Sequence, residues 1–179
     1  DATREMLNAF IKKVYGVSPF KPEIMICVPI EVTSIEKKAI FDVTMGAKKI
    51  YLLEEGRAAI MGSGVNISLP EGHTVIDIGG GSTDIAILSL NEIVASTSIR
   101  VASNKFDEDI IKYVKRKFNL LIGDKTAENI KKEVGSAMEV PINENISTKI
   151  KGKDLVTGIP KTIDITSNQI NEAIKDSVN

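Results

Sequence analysis

The sequence predicts an α/β protein with two lobes, in which mixed sheets are flanked by helices. In the first part of the chain, short continuous apolar runs alternate with segments of helical periodicity, a pattern typical of parallel strands joined by helices. In the second part, short connections separate three strand-like runs, which favours an antiparallel meander. Residues 65–72, VNISLPEG, lack periodicity and contain Pro and Gly, so we expect the boundary between the lobes there.

The elements of the first lobe follow from local signals. A continuous apolar run between Pro22 and Pro29 predicts a strand covered on both faces, and threonine and serine are residue types that cap helices. The expected elements are a helix over 6–14 that stops at Gly16, a strand over 23–28, a helix from Thr33 or Ser34 to about Gly46, a strand over 49–53 and a helix over 57–61.

The second lobe begins with the meander and continues with helices that carry one apolar face. Thr126 and Gly135 are the expected ends of the second of these helices. The expected elements are strands over 74–78, 84–88 and 93–99, helices over 104–118 and 126–134, strands over 146–150 and 161–165, and a helix from Ser167 or Asn168.

Composition and charge exclude several classes of protein. Of the 179 residues, 42% are hydrophobic and 26% are charged, which is typical of a globular protein and excludes a wholly disordered chain. The net charge of −1 gives no broad positive field for nucleic acid. No apolar run approaches the length of a membrane span, so we expect a cytoplasmic protein. Cys27 lies in an apolar strand and is expected to be buried, and His73 is interpreted as structural.

Three consecutive glycines interrupt a strand-forming segment in the stretch DIGGGSTD, which starts at Asp77. Glycine lacks a Cβ, so its amide can adopt backbone angles that other residues avoid and can approach a ligand closely. Consecutive turned amides form a concave set of N–H donors that binds anions. A glycine-rich hairpin turn is the alternative, although a two-residue turn needs only one or two glycines. The predicted phosphate ligands are the amides of Gly79, Gly80 and Gly81 and the hydroxyls of Ser82 and Thr83.

Asp77 lies at the end of a predicted strand, two residues before the first glycine. A carboxylate beside a phosphate repels it unless a divalent cation, or a water bound to one, lies between them. Magnesium suits this arrangement because it keeps several waters and takes few protein ligands. The expected ligand is therefore a magnesium nucleotide, with Asp77 holding Mg²⁺ through water.

The stretch DIGGGSTD resembles the second phosphate loop of the actin, sugar kinase and heat-shock chaperone ATPase superfamily. Further segments resemble the MreB/Mbl family of bacterial actin homologues, and IGDKTAE together with GKDLVTGIP is the most specific part of that resemblance. The other segments that carry it are FKPEIMICVPIEVTSIEKKAI, IYLLEEGRAAIMGSG and SIRVASNKFDEDIIKYV. The resemblance covers essentially the whole chain and implies an actin-like ATPase fold of the ribonuclease H-like type.

The resemblance also implies that the chain is an internal fragment of the full fold. Residues 1–66 would complete the first actin-like lobe, and residues 67–179 would form most of the second, with a small inserted subdomain at about 119–166. The family's first phosphate loop and its adenosine-binding segment have no counterpart in the sequence. We therefore expect ATP hydrolysis in the whole protein and little or none in this fragment.

Two catalytic roles follow from the resemblance. Glu55 matches the carboxylate that orients the attacking water, and hydrolysis of a γ-phosphate needs mainly such positioning. Its neighbour Glu54 is interpreted as an acid in an ion pair. Ser82 stands where the family usually has a threonine that helps to hold the same water, and serine keeps the hydroxyl but loses the methyl that restricts the rotamer. We therefore expect slower hydrolysis.

Other positions match or depart from the family's nucleotide contacts. Glu128 and Lys131 match contacts to the nucleotide sugar and base edge, and an ordinary ion pair one helical turn apart is the alternative. Ser103 and Asn104 replace the family's glycine and aspartate, and Gly56 replaces a proline. The side chain added at Ser103, the charge lost at Asn104 and the looser backbone at Gly56 put in question whether this chain binds nucleotide as other members of the family do.

Phe20, in the loop GVSPF, matches a hydrophobic loop that the family inserts into the inner leaflet, and packing back onto the first helix is the alternative. The resemblance thus implies an ATPase that uses ATP and Mg²⁺, forms filaments with its own copies and organises cell shape at the inner face of the cell membrane. Cell-shape or wall-synthesis proteins are the other expected partners. Two alternatives stay open: a non-polymerising ATPase of the chaperone type, and a nucleotide-binding module with weak or lost hydrolysis.

Overall fold

The computed structural model describes residues 2–16, 19–44 and 46–179. The helices are α1 (Ala2–Tyr15), α2 (Ser34–Val43), α3 (Glu55–Gly62), α4 (Ser103–Phe118), α5 (Asp124–Val134) and α6 (Ser167–Val178). The strands are β1 (Glu23–Val28), β2 (Lys49–Glu54), β3 (His73–Ile78), β4 (Thr83–Ser89), β5 (Glu92–Ile99), β6 (Leu120–Leu121), β7 (Ser147–Asp154) and β8 (Pro160–Thr166). A short 3₁₀ helix lies at Ile142–Glu144.

The chain divides into two compact units. The first unit runs to Asp77 and also includes Thr83–Ile99. The second unit comprises Ile78–Ser82 and Arg100–Asn179. The glycine-rich stretch therefore belongs to the second unit, while the residues on either side of it belong to the first.

In the first unit, β1 and β2 form the predicted parallel pair, with Glu23 opposite Lys49. Helix α3 contacts both strands. Helix α2 begins as predicted, because Thr33 Oγ1 accepts a hydrogen bond from the Glu36 amide at 3.2 Å and the Glu36 carboxylate accepts one from the Thr33 amide at 2.8 Å. This reciprocal pair is a capping box, which satisfies two backbone donors that a helix end otherwise leaves unpaired.

The prediction that β1 is covered on both faces is wrong for the described part of the chain. Its side chains alternate between exposed and half-buried before the buried Val28. Met25 is 64% exposed, and Cys27 is exposed rather than buried. Among the described residues, β1 and β2 form a sheet of two strands, and Met25 and Cys27 are exposed on one of its faces. A continuous apolar run indicates a strand that packs under other elements. It does not identify those elements.

The predicted meander is present as a three-stranded sheet in the order β3, β4, β5. The β4–β5 pair is antiparallel, and its turn places Leu90 and Asn91 at φ values of 52° and 65°. Two successive left-handed residues are the geometry of a type I′ hairpin turn. Ala86 and Leu88 on β4 share a core with Ile60 of α3 and with Ile67. The meander therefore packs with the elements that precede it in the chain.

In the second unit, α4, α5 and α6 pack together with the sheet of β6, β7 and β8 around one core. The buried side chains of this core are Ile110, Tyr113, Val114, Leu120, Ile122, Ala127, Ile130, Val134, Ile150, Ile165, Ile170 and Ile174. Helix α6 begins at the predicted residue, with a capping box between Thr166 and Gln169. Thr126 is not the cap of α5, which begins at Asp124 after Gly123 without any side-chain cap.

The two actin-like lobes predicted at 1–66 and 67–179 concern the whole fold and stay a prediction. In this chain, the contact of Ile60 with Ala86 and Leu88 joins residues from both sides of that boundary in one core. The two-residue strand β6 was not predicted, because two residues carry no periodicity that a sequence pattern can show.

The assignment of the second unit's core can be tested by substituting two isoleucines that differ in burial. Ile165 is 0% exposed on β8, whereas Ile159 is 62% exposed just before that strand. We expect Ile165→Ala to lower the free energy of unfolding by about 2–5 kcal/mol, because it removes a buried side chain and leaves a cavity. The matched change Ile159→Ala should cost less than about 0.5 kcal/mol. Urea unfolding curves measure both values, and equal costs would contradict the assignment of the core.

Candidate functional site

The glycine-rich stretch forms a tight turn between β3 and β4. The Gly79 amide donates to Ser82 O at 2.9 Å, which closes the turn. The first amides of α4 also donate into it: Ser103 N–H to Gly79 O at 3.2 Å and Asn104 N–H to Gly80 O at 2.8 Å. Two carbonyl oxygens of the turn are therefore bound from one side by the beginning of a helix.

The amides of Gly80 and Gly81 remain available. Both residues are exposed, and neither amide donates a hydrogen bond within the part of the chain that the structure describes. An N–H group that makes no protein hydrogen bond and faces outward can donate to an anion. Ser82 and Thr83 follow the turn as half-buried residues.

The three glycines are not explained by unusual backbone angles, because none of them has a positive φ. The expected need for angles that other residues avoid is therefore wrong here. Space explains only the first glycine: a Cβ on Gly79 would lie 3.3 Å from Ser82 O, a tight contact, whereas one on Gly80 would make an ordinary contact at 3.5 Å with the Asn104 side chain. A Cβ on Gly81 would meet nothing within 4 Å, so this residue keeps open space beside its own amide.

A separate group of carboxylates lies in the first unit. Glu55 is the first residue of α3 and is half-buried. Burial raises the pKa of Glu55 above its ordinary value, and the negative charges of Asp77 and Asp84 raise it further. Glu54, in contrast, forms the expected ion pair, 3.3 Å from Arg57 Nε. The structure thus distinguishes two adjacent glutamates that the sequence alone presents side by side.

Asp84 was missed as a member of this carboxylate group. It is only 3% exposed, and it shares the buried face of β4 with Ala86 and Leu88. The alternation of the strand contained the signal, because residues two apart point to the same face and an acid on a buried face is unusual. Among the described residues, no group of three or more His, Cys, Asp or Glu side chains is arranged to hold a metal ion by itself.

Gly56 lies at the corner after Glu55 and is closely packed. A Cβ at this position would lie 3.3 Å from both Ala86 Cβ and Val75 Cγ1 and 3.5 Å from Ile30 Cδ1. The missing side chain therefore leaves no gap, and the neighbours fill the space.

Glu128 and Lys131 do not form the ion pair that their spacing allows. Glu128 pairs with Lys132, one residue further along α5, and this contact lowers the pKa of Glu128. Lys131 instead reaches α4, where it contacts Ser103 and Asp107. The alternative of an ordinary pair between Glu128 and Lys131 is wrong, and the two side chains have separate partners.

Phe20 is 78% exposed. Val17 and Ser18, in the same predicted membrane loop, lie outside the described residues. Within the ranges that the structure describes, no helix is both long enough and apolar enough to cross a membrane.

Comparison with known proteins gives consistent results. A family model described as MreB/Mbl protein matches residues 1–179. The cell shape-determining protein Mbl of Bacillus cereus is 46% identical over 180 residues, which cover 99% of this chain and 54% of Mbl. The cell shape-determining protein MreB of Escherichia coli is 41% identical over 178 residues, which cover 97% of this chain and 51% of MreB. The chain thus spans about half the length of the curated relatives it matches.

Solved structures show the same relationship. The crystal structure of MreB5 of Spiroplasma citri bound to ADP matches with a TM-score of 0.90 and 39% identity, over 98% of this chain and 53% of that one. The AMPPNP-bound form of the same protein matches with a TM-score of 0.88 and 40% identity, over the same shares of the two chains. A MamK double helical filament, at 18% identity and a TM-score of 0.73 over 97% of this chain and 50% of its own, shares the fold alone. The chain belongs to the MreB/Mbl family and has part of its actin-like fold.

Proposed function

We propose that the whole protein is an MreB-like ATPase that binds a magnesium nucleotide, forms filaments with its own copies and organises cell shape at the inner membrane. The observation that carries this proposal is the pair of exposed amides of Gly80 and Gly81, which have no partner in the described chain and lie three and four residues after Asp77. Support also comes from the relatives named as cell shape-determining proteins and from the solved MreB5 structures with ADP and AMPPNP.

The residues of the turn fit the phosphate end of a nucleotide. The amides of Gly80 and Gly81 would donate to phosphate oxygens, and the hydroxyls of Ser82 and Thr83 would add donors. Helix α4 keeps the turn's carbonyl oxygens away from the phosphate, because its first amides already bind them. Without that helix, the carbonyl dipoles could turn outward and repel an anion.

The carboxylates fit a bound cation and a positioned water. Bound Mg²⁺ would neutralise phosphate charge, and Asp77 would hold it through water while the nucleotide supplies other oxygen ligands. Burial raises the pKa of Glu55, and the charges of Asp77 and Asp84 raise it further. A cation would offset their charge and favour the ionised form of Glu55, which accepts a hydrogen bond from the attacking water. Ser82 would hold the same water.

The remaining roles belong to the whole fold. We assign residues 1–66 to the first lobe and 67–179 to the second, with an inserted subdomain at about 119–166. Glu128 would approach the nucleotide sugar from α5. Assembly into filaments and contact with cell-shape or wall-synthesis proteins are supported by membership of the family. The protein would act in the cytoplasm at the membrane surface.

Hydrolysis tests the role of Glu55. In the whole protein, Glu55→Gln should reduce phosphate release by about 10²–10⁴-fold, because the amide cannot orient and deprotonate water as a carboxylate does. Nucleotide affinity should change little, since Glu55 contacts the water and not the phosphates. Phosphate release and binding of a fluorescent nucleotide are measured on the same samples.

The matched control for this test is Glu54→Gln. This change removes the same charge one residue earlier, and Arg57 keeps its second partner, Glu92, at 3.2 Å. Glu54→Gln should therefore retain phosphate release within about threefold, as expected for a surface ion pair. Unchanged hydrolysis in Glu55→Gln would refute the catalytic role. An equal loss of hydrolysis in both variants would show that the loss is not specific to Glu55.

Membrane contact through Phe20 can be tested by liposome pelleting of the assembled whole protein. Burial of an exposed phenylalanine ring contributes about 1.5–3 kcal/mol, so Phe20→Ser should weaken binding to anionic vesicles by about tenfold or more. Phe20→Trp should retain binding, because tryptophan also favours the membrane interface. Undiminished pelleting of Phe20→Ser would exclude this contact.

A further inference from the structure

Lys131 is held by oxygen atoms of the neighbouring helix α4. Its Nζ donates to Ser103 O at 3.0 Å and to Ser103 Oγ at 2.6 Å, and it forms an ion pair with Asp107 Oδ1 at 2.8 Å. The side chains of Lys131 and Asp107 are only 16% and 15% exposed. Two of the three N–H donors of the ammonium group bind Ser103, and the buried Oδ1 atom of Asp107 adds a charge contact at short distance.

Ser103 connects this contact to the glycine turn. Its amide donates to Gly79 O at 3.2 Å, and the next amide, from Asn104, donates to Gly80 O at 2.8 Å. Lys131 therefore binds Ser103, and the amide of Ser103 in turn binds the carbonyl oxygen of Gly79. The contacts form a continuous chain from α5 through the first turn of α4 to the amides of Gly80 and Gly81.

The beginning of α4 has little other local support. Its N-cap residue, Ala102, provides no side-chain hydrogen bond, and the first turn contains no acidic residue. A cation near the N-terminus of a helix is unfavourable, because that end carries partial positive charge. The ion pair with Asp107 offsets this cost, and the bonds to Ser103 fix the first turn where a capping side chain is lacking.

We propose that Lys131 is a positioning residue that fixes the phosphate-binding amides of the glycine turn through Ser103. This inference rests on the proposed binding of phosphate by that turn. This role is distinct from the contact to the nucleotide sugar that the family resemblance implies for Lys131, because it acts on the phosphate site through Ser103 and needs no sugar. The family usually has glycine at the position of Ser103. The serine hydroxyl strengthens the contact, because it accepts an additional hydrogen bond from Lys131.

The two roles of Lys131 make different predictions for a ligand that lacks a sugar. A positioning residue affects the phosphate site itself, so its loss weakens ATP and inorganic tripolyphosphate alike. A sugar contact affects ATP only. We therefore compare magnesium ATP with magnesium tripolyphosphate by isothermal titration calorimetry on the whole protein.

The central variant is Lys131→Met, which keeps the aliphatic part of the side chain and removes the ammonium. It should weaken both ligands by the same factor, about tenfold, as expected for losing charge-assisted hydrogen bonds. Ser103→Ala should weaken both by a smaller common factor, since the main-chain oxygen still binds Lys131. Lys132→Met, which removes the exposed partner of Glu128 on the same helix, is the matched control and should leave the affinity for tripolyphosphate unchanged.

A second measurement reports on the turn without any ligand. If Lys131 positions the turn, the amide NMR signals of Gly80 and Gly81 should shift in nucleotide-free Lys131→Met and stay unchanged in Lys132→Met. Loss of ATP affinity with unchanged tripolyphosphate affinity, or unchanged amide signals, would overturn the inference. If the wild-type protein binds neither ligand, the proposed phosphate site fails instead, and the amide signals still decide whether Lys131 positions the turn.

Discussion

The hydrogen bonds from the first amides of α4 to the carbonyl oxygens of Gly79 and Gly80 are the contacts on which the candidate site depends. A peptide unit carries its N–H and C=O on opposite sides, so fixing a carbonyl also fixes the direction of the neighbouring amide. With these carbonyls bound to the helix, the exposed amides of Gly80 and Gly81 have no partners among the described residues. If the turn binds phosphate as proposed, these contacts would order it before any ligand arrives and so avoid the cost of ordering it on binding.

The glycine turn and the group of carboxylates belong to different units of the chain. The exposed amides of Gly80 and Gly81 lie in the second unit, and the carboxylates Glu55, Asp77 and Asp84 lie in the first. The chain leaves the first unit at Asp77, makes the glycine turn and returns at Thr83. Burial raises the pKa of Glu55, and repulsion from Asp77 and Asp84 raises it further; under the proposed function, bound Mg²⁺ would offset that repulsion.

Much of this arrangement could be predicted from the sequence, because its signals are local. The meander, the capping box at Thr33 and the glycine turn each depend on residues close together in the chain. The contacts that could not be predicted join distant residues. Lys131 binds Ser103, 28 positions away, although its spacing from Glu128 suggested a different partner. The exposure of Cys27 was also misjudged, because an apolar run does not identify what covers it.

The central claim is that the outward amides of Gly80 and Gly81 bind the phosphates of a magnesium nucleotide. Titration of the ¹⁵N-labelled whole protein with magnesium AMPPNP, followed by amide NMR, tests it most directly. We expect the amide signals of Gly80 and Gly81 to shift along one common binding curve, because both amides form hydrogen bonds to phosphate. The amide signal of the exposed Gly123, on the loop before α5, should not shift. A saturating nucleotide that leaves both glycine amides unchanged would contradict it.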